Sequence, residues 1–325
     1  MRIHWLDEGD VKKLLNMSKA ITAVEEAFKY HALKKVQMPP KIYLSFSKYG
    51  GDLRAMPAYI EPTDIAGVKI VNVHPANPER GLPTVMAVLV LNDPRTGAPL
   101  SIMGGTYLTD MRTGAAGGVA VKYLARKDSK VLGIVGAGRQ AKTQLRAIAL
   151  VADIEEVKVA SRSLARRKKF ISEMRSTVSC DIFARSIKEV CDCDILVTTT
   201  PVREPIVKDA WISEGTHINA IGADAEGKEE LEPELLKRAK IVVDDISQAS
   251  HSGEVNVPLS RGIITPEDIF CEIGEIVSGS RKGRKSESEI TVFDSTGLAV
   301  QDVAVGSLVY TAAVKKGIGK KINLF

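Results

Sequence analysis

The run Val131-Leu132-Gly133-Ile134-Val135-Gly136-Ala137-Gly138-Arg139-Gln140-Ala141 decides how this chain is read. Its first five residues are apolar, three of them β-branched, as in a strand buried on both faces. A glycine-rich turn follows at once, and then a helical pattern that continues to about Val151. That order is the context a dinucleotide fingerprint requires. Gly136 permits the tight turn, Gly138 lets the backbone approach a pyrophosphate, and Ala141 keeps helix and strand close. The free N–H groups at the start of the helix then meet the phosphates.

Working outward, the next strand, Val157 to Ser161, selects the form of the dinucleotide. NAD enzymes usually end this strand on an acid that holds the ribose hydroxyls. Here it ends Val159-Ala160-Ser161-Arg162-Ser163, with no carboxylate. Ser161, Arg162 and Ser163 suit a 2′-phosphate, the guanidinium through a charge-assisted bond. The expected cofactor is therefore NAD(P)(H), with NADP(H) favoured over NAD(H); the other reading of Arg162, and of Arg166 and Arg167 one turn further on, is a solvated helix face.

Further strand-like runs follow at Ile195 to Thr200, His217 to Gly222, Ile241 to Asp244 and Ile290 to Phe293, separated by helical stretches. Such alternation implies right-handed crossovers and a parallel sheet. Upstream the pattern differs. Residues 18 to 35 read as an amphipathic helix with Ser18 as N-cap, ended by Pro39-Pro40. Short strand runs then appear at Ile42 to Phe46, Val68 to Val73, Val85 to Leu91 and Leu100 to Met103. A final helix, Leu298 to Lys316, is rich in Ala and Val and is expected to pack back on the first part. The predicted class is α/β: a Rossmann-type parallel sheet domain (119–298) inserted into an α+β substrate and dimerisation domain (1–118 plus 299–325).

Composition narrows the function classes. At 325 residues, two domains fit better than one. Aromatics are 5% and the net charge is only +5, so no basic, aromatic-rich face for nucleic acid is expected. No apolar run reaches the ~18 residues of a membrane span. The first residues lack a signal pattern, and the expected location is cytoplasmic. Cys180, Cys191, Cys193 and Cys271 fit neither a zinc spacing nor a disulfide framework, and the histidines form no close pair, so no metal is expected.

In the first part, cations sit inside apolar, turn-rich strings. Lys41 follows Pro39-Pro40, Arg54 lies in Leu53-Arg54-Ala55-Met56-Pro57, and Lys69 lies in Gly67-Val68-Lys69-Ile70-Val71. Arg112 precedes Thr113-Gly114-Ala115-Ala116-Gly117-Gly118. One lysine in a strand usually faces outward. Four such cations beside a glycine-rich segment point to an anion pocket for a substrate carboxylate.

Together the strings Arg54-Ala55-Met56-Pro57, Lys69 to Pro78, Asp110 to Ala115, Gly136 to Ala141, Ile221-Gly222-Ala223-Asp224 and Phe293 to Asp302 resemble the ornithine cyclodeaminase/mu-crystallin family over almost the whole chain. The resemblance implies a homodimer acting on amino or imino acids. By motif, Lys41, Arg54 and Arg112 would bind the carboxylate, and Lys69 would be the acid/base lysine. Asp224 is similar to the aspartate that assists attack on the imine in the cyclodeaminases. Arg112, Thr113, Arg139, Gln140, the Ser161 region, Ile221, Gly222, Ala223 and Ser295 would contact the cofactor. Lys41 paired with Leu53-Arg54-Ala55-Met56-Pro57 looks most like the archaeal-type alanine dehydrogenase branch. The ornithine enzymes carry an acid where Ala55 stands.

The implied reaction is reversible hydride transfer at the α-carbon of a small amino acid, alanine first. Cyclic imine (pyrroline-2-carboxylate or ketimine) reduction and ornithine cyclodeamination are the alternatives. A reading of another class, a non-catalytic NADPH-binding crystallin-like protein, is disfavoured by the intact set Lys69, Arg112 and Asp224.

Overall fold

The computed structural model describes residues Arg2 to Leu324. In chain order its strands are β1 (Arg2–Leu6), β2 (Val36–Gln37), β3 (Ile42–Phe46), β4 (Gly51–Ile60), β5 (Ile65–Val73), β6 (Val85–Asn92), β7 (Pro99–Gly104), β8 (Val131–Val135), β9 (Glu156–Ala160), β10 (Asp181–Ala184), β11 (Ile195–Thr198), β12 (His217–Ala220), β13 (Lys240–Val243), β14 (Ile269–Glu272), β15 (Thr291–Asp294) and β16 (Lys320–Asn323). They form two separate sheets in two compact units. One unit holds residues up to Arg112 and from Leu298 onward; the other runs from Thr113 to Gly297.

The divisions fall at 112/113 and 297/298, against expected breaks at 118/119 and 298/299. The first lies inside one continuous helix, Thr106–Leu124, so no turn or change of composition marks it. Its start is capped by Glu8, whose two carboxylate oxygens accept from the Thr106 and Tyr107 N–H groups at 2.8 and 3.0 Å. From Thr113 on, the helix belongs to the second unit, where Gln144 Nε2 donates to the Thr113 carbonyl at 2.9 Å.

The first unit is a mixed sheet in the order β16-β1-β7-β6-β5-β4-β2, with β3 also on β4. Among the described residues of this sheet, only β1 and β7 pair in parallel. Residues on β4 and β5 alternate between core and surface, which puts Arg54, Met56, Lys69 and Val71 on the buried side. The helix Ala299–Lys316 lies on that face, with Val300, Val303, Val309 and Ala313 buried. Each buried valine contributes about 1.5–3 kcal/mol. Gly306 permits the contact: a Cβ there would lie 2.2 Å from Leu89 Cδ2. The earlier helix is Met17–Ala32, capped by Asn16 rather than Ser18, because the Asn16 side chain accepts from the Lys19 N–H at 3.0 Å.

The second unit is an all-parallel sheet in the order β10-β9-β8-β11-β12-β15-β13-β14. The chain runs β8, β9, β10 to one side, then returns to lay β11 and β12 on the other side of β8. The order thus reverses between β8 and β11, the point where α/β sheets open a crevice for ligands. Among the described residues, no helix is long and apolar enough to cross a membrane.

Candidate active site

In the first unit the predicted cations meet a carboxylate that the sequence reading did not assign. Lys69 Nζ lies 2.7 Å from Asp302 Oδ2, and both side chains are buried. Arg112 Nε donates to the other oxygen of Asp302 at 3.0 Å, and Arg112 Nη1 donates to Gln301 Oε1 at 3.1 Å. One carboxylate thus bridges the two cations. Its signal in the sequence is Gln301-Asp302, two polar residues between Val300 and Val303 of an Ala/Val helix.

Burial and the nearby charges of Arg112 and Lys41 bring the Lys69 ammonium down to about 7, while Asp302 pulls the other way. An amine with that proton affinity exchanges protons near neutral pH. The strand position of Lys69 hides it: its side chain points inward, contrary to the usual habit of a lone strand lysine. Arg54 is buried on β4, held in a fork by Asp52 at 2.9 and 3.1 Å, with its guanidinium 5.3 Å from the Tyr43 ring centroid. Lys41 stands half-buried just before β3.

The second unit holds the dinucleotide candidates. Gly136 has φ 114°, and a Cβ there would lie 2.3 Å from Thr199 Oγ1, so the turn after β8 admits only glycine. At Gly138 a Cβ would meet nothing within 4 Å. Gly138 also stands at the N-cap of the helix Arg139–Ile148 and makes no side-chain cap hydrogen bond, a helix start of the kind that receives phosphates. Arg139 is exposed and Gln140 half-buried at this helix start. These features fit a bound pyrophosphate.

Around that loop the remaining predicted residues fall on the carboxyl ends of neighbouring strands. Ser161, Arg162 and Ser163 follow β9, with Ser163 already capping the next helix by accepting from the Arg166 N–H. Ile221, Gly222 and Ala223 follow β12. Ser295 follows β15 in a turn held by buried Asp244, which accepts from Thr296 Oγ1 at 2.9 Å and the Gly297 N–H at 2.7 Å. Asp224 is half-buried and pairs with Lys228 at 2.6 Å. The cysteines are not poised for chemistry: burial pushes the Cys191 and Cys271 thiols up to about 12.

A family model for the ornithine cyclodeaminase/mu-crystallin family matches residues 4–317. The chain belongs to the ornithine cyclodeaminase/mu-crystallin family. Within it, the chain is 54% identical over 321 residues to an alanine dehydrogenase of Archaeoglobus fulgidus, covering 98% of each. A solved archaeal alanine dehydrogenase dimer with bound NAD superposes with a TM-score of 0.97 at 54% identity, covering 100% of both chains. The Thermococcus litoralis Δ1-pyrroline-2-carboxylate reductase, solved with NADH and L-proline, gives a TM-score of 0.96 at 41% identity and covers 98% of this chain and 100% of that one. The Rossmann-type sheet and family membership expected from the sequence are therefore established.

Proposed function

We propose that this protein is an NAD(P)-dependent alanine dehydrogenase that interconverts L-alanine with pyruvate and ammonia. The observation that carries the reading is Lys69: a buried amine held by Asp302 and brought near neutrality beside Arg112 and Lys41. Full-length similarity to archaeal alanine dehydrogenase, in sequence and in structure, supports the choice of substrate.

In the oxidative direction, Arg54, Lys41 and Arg112 bind the carboxylate and present the α-carbon. The dinucleotide supplies the hydride acceptor. Lys69, as the free amine, takes the proton that the substrate ammonium must lose before its nitrogen can form the C=N bond. Once that proton has passed to solvent, the same lysine takes another from the water that adds to the imine and returns it to the departing ammonia. Asp224 is assigned to that water step by its family motif. The net change is loss of a hydride and one proton and addition of water, with ammonium released.

The test is purified protein with L-alanine and either dinucleotide, followed by the absorbance of the reduced nicotinamide, and the reverse reaction with pyruvate and ammonium. Formation of reduced cofactor from alanine, with a reverse rate that depends on ammonium, is expected. Reduction of pyrroline-2-carboxylate alone would replace this reading with cyclic imine reduction, which the Thermococcus relative supports. Proline made from ornithine without net cofactor reduction would replace it with cyclodeamination, which Ala55 disfavours. Tight dinucleotide binding with no turnover of any of these would leave a binding protein.

The adenosine end is where the chain's own residues and its solved relatives point in different directions. Ser161-Arg162-Ser163 supports NADP(H), whereas the alanine dehydrogenase and pyrroline-2-carboxylate reductase structures carry NAD and NADH. Our reading keeps NADP(H) ahead. The ratio of kcat/KM for the two dinucleotides decides it, and a ratio favouring NAD reverses it.

The protein is further proposed to act as a cytoplasmic homodimer, as the archaeal structure does in being a dimer. The outer face of the first unit's sheet supports this. Val68 and Ile70 on β5 and Met86 and Val88 on β6 turn away from the core, and Ile70 and Val88 are register partners, 38% and 44% exposed. An apolar sheet face of this kind marks an interface.

A further inference from the structure

We propose that Glu230 is a positioning residue of the dinucleotide site, a buried carboxylate that fixes the two loops on the nicotinamide side of the crevice. The inference rests on the dinucleotide reading above.

Glu230 is fully buried. Its Oε1 accepts from both the N–H and the hydroxyl of Thr200, each at 2.6 Å. Its Oε2 accepts from the Gly222 N–H at 2.9 Å. Thr200 follows β11 and Gly222 follows β12, so one side chain ties the carboxyl-end loops of two adjacent parallel strands. Thr199, next to Thr200, is the residue against which Gly136 packs. Gly222 is itself dictated by this contact: a Cβ there would lie 2.2 Å from the Thr200 carbonyl and 2.5 Å from Glu230 Oε2.

These loops lie on one side of the strand-order reversal. The turn after β9, with Ser161 and Arg162, lies on the other. A dinucleotide spanning the reversal sets its adenosine half on the β8/β9 side and its second half on the β11/β12 side. Glu230 therefore acts on the second half only.

A second buried acid provides the control. Glu254 Oε1 accepts from the Glu230 and Leu231 N–H groups at 2.7 and 2.6 Å, while its Oε2 has no hydrogen-bond partner among the described residues. Burial raises the proton affinity of both carboxyls. At Glu230 the Thr200 and Gly222 bonds oppose that rise; at Glu254 the charges of Glu230 and Asp294 add to it. An amide can replace Glu254 by keeping its oxygen on the two N–H groups. It cannot replace Glu230, because both oxygens face donors and an NH2 group would meet one of them.

The experiment measures dissociation constants of NADH, NADPH and adenosine monophosphate for the wild type, Glu230→Gln and Glu254→Gln. For Glu230→Gln the reduced dinucleotides weaken by about tenfold or more, the scale of one charged hydrogen bond, while adenosine monophosphate stays within about twofold. Glu254→Gln stays within about twofold for all three. Should Glu230→Gln fail to fold, Thr200→Val removes one of the three bonds and gives a smaller loss with the same split. Unchanged dinucleotide affinity in a folded Glu230→Gln, equal losses for adenosine monophosphate, or equal losses in Glu254→Gln would overturn the assignment. A wild type that binds adenosine monophosphate but neither dinucleotide would overturn the underlying reading as well.

Discussion

The Asp302 carboxylate lies 2.7 Å from Lys69 Nζ on one side and 3.0 Å from Arg112 Nε on the other, so a single buried anion faces both cations. On the proposed mechanism Lys69 works as a base in alanine oxidation when it is neutral. The kcat/KM profile should therefore rise through about pH 7, where its proton affinity lies. Asp302→Asn removes the attraction that holds the Lys69 proton, so the acidic limb should move below that point. The rate constant should also fall roughly a hundredfold, at the lower end of what a placed acid–base group contributes. The Arg112 guanidinium, buried without its carboxylate partner, costs about 3–5 kcal/mol of stability, readable from urea unfolding. A limb that stays where it was would detach Asp302 from the proton chemistry.

The two glycines of the phosphate loop should respond oppositely to the same change. Gly136→Ala meets both a left-handed φ and Thr199, and should lower stability by about 1–3 kcal/mol. Gly138→Ala meets no atom, and its stability should stay within about 0.5 kcal/mol of the wild type. Its new methyl group stands where the pyrophosphate belongs, so dinucleotide affinity should drop by about tenfold. Calorimetry and a fluorescence titration on the two variants separate the effects. Full affinity in Gly138→Ala would remove the phosphates from this loop.

His217 ties acid sensitivity to the interior of the second unit. It is fully buried, bonded to Thr291 Oγ1 at 2.9 Å and Asn219 Oδ1 at 3.0 Å. Burial and the Arg284 charge bring it down to about 3. Below pH ~6.5 the unfolded chain takes up a proton there that the folded chain refuses until about 3. Stability therefore falls as the pH falls through that window, with a slope of up to about 1.4 kcal/mol per pH unit from this group. Unfolding midpoints between those limits should show that slope, and His217→Gln should flatten it.

Ile70→Asp with Val88→Asp puts charge at the centre of the apolar outer face of β5 and β6. Sedimentation should show monomers in place of dimers. A double variant that keeps the wild-type mass would move the interface elsewhere.

Legibility followed how local each signal was. The glycine loop, β8 and the missing acid after β9 are contiguous, and they could be read directly. Lys69, Arg54 and Arg112 stood out as charges in apolar strings, but their shared partner did not. Asp302 lies far along the chain and reaches them only through the packing of the helix Ala299–Lys316. Strand β4 was hidden because Arg54 and Pro57 interrupt its pattern. Its pairing explains the tolerance: Pro57 falls between the stretch paired with β3, which ends at Ala55, and the stretch paired with β2, which begins at Tyr59. Glu230 was hidden for the opposite reason. Lys228-Glu229-Glu230 looks like a solvated charge run, and only the fold shows that Glu229 and Glu230 are both interior.

The assembly of the first unit from both ends of the chain has a consequence for biosynthesis. A ribosome adding roughly 5–20 residues per second releases β4 and β5 tens of seconds before the helix that covers them. During that interval the second unit has all its strands in order and can close by itself. The sheet that carries Lys69 and Arg54 cannot, because its lid and the counter-ion for its lysine are encoded after the second unit. On the proposed mechanism, competence therefore comes only after the second unit has been made, and a nascent chain stalled before Leu298 would hold the parallel sheet without the proposed chemistry.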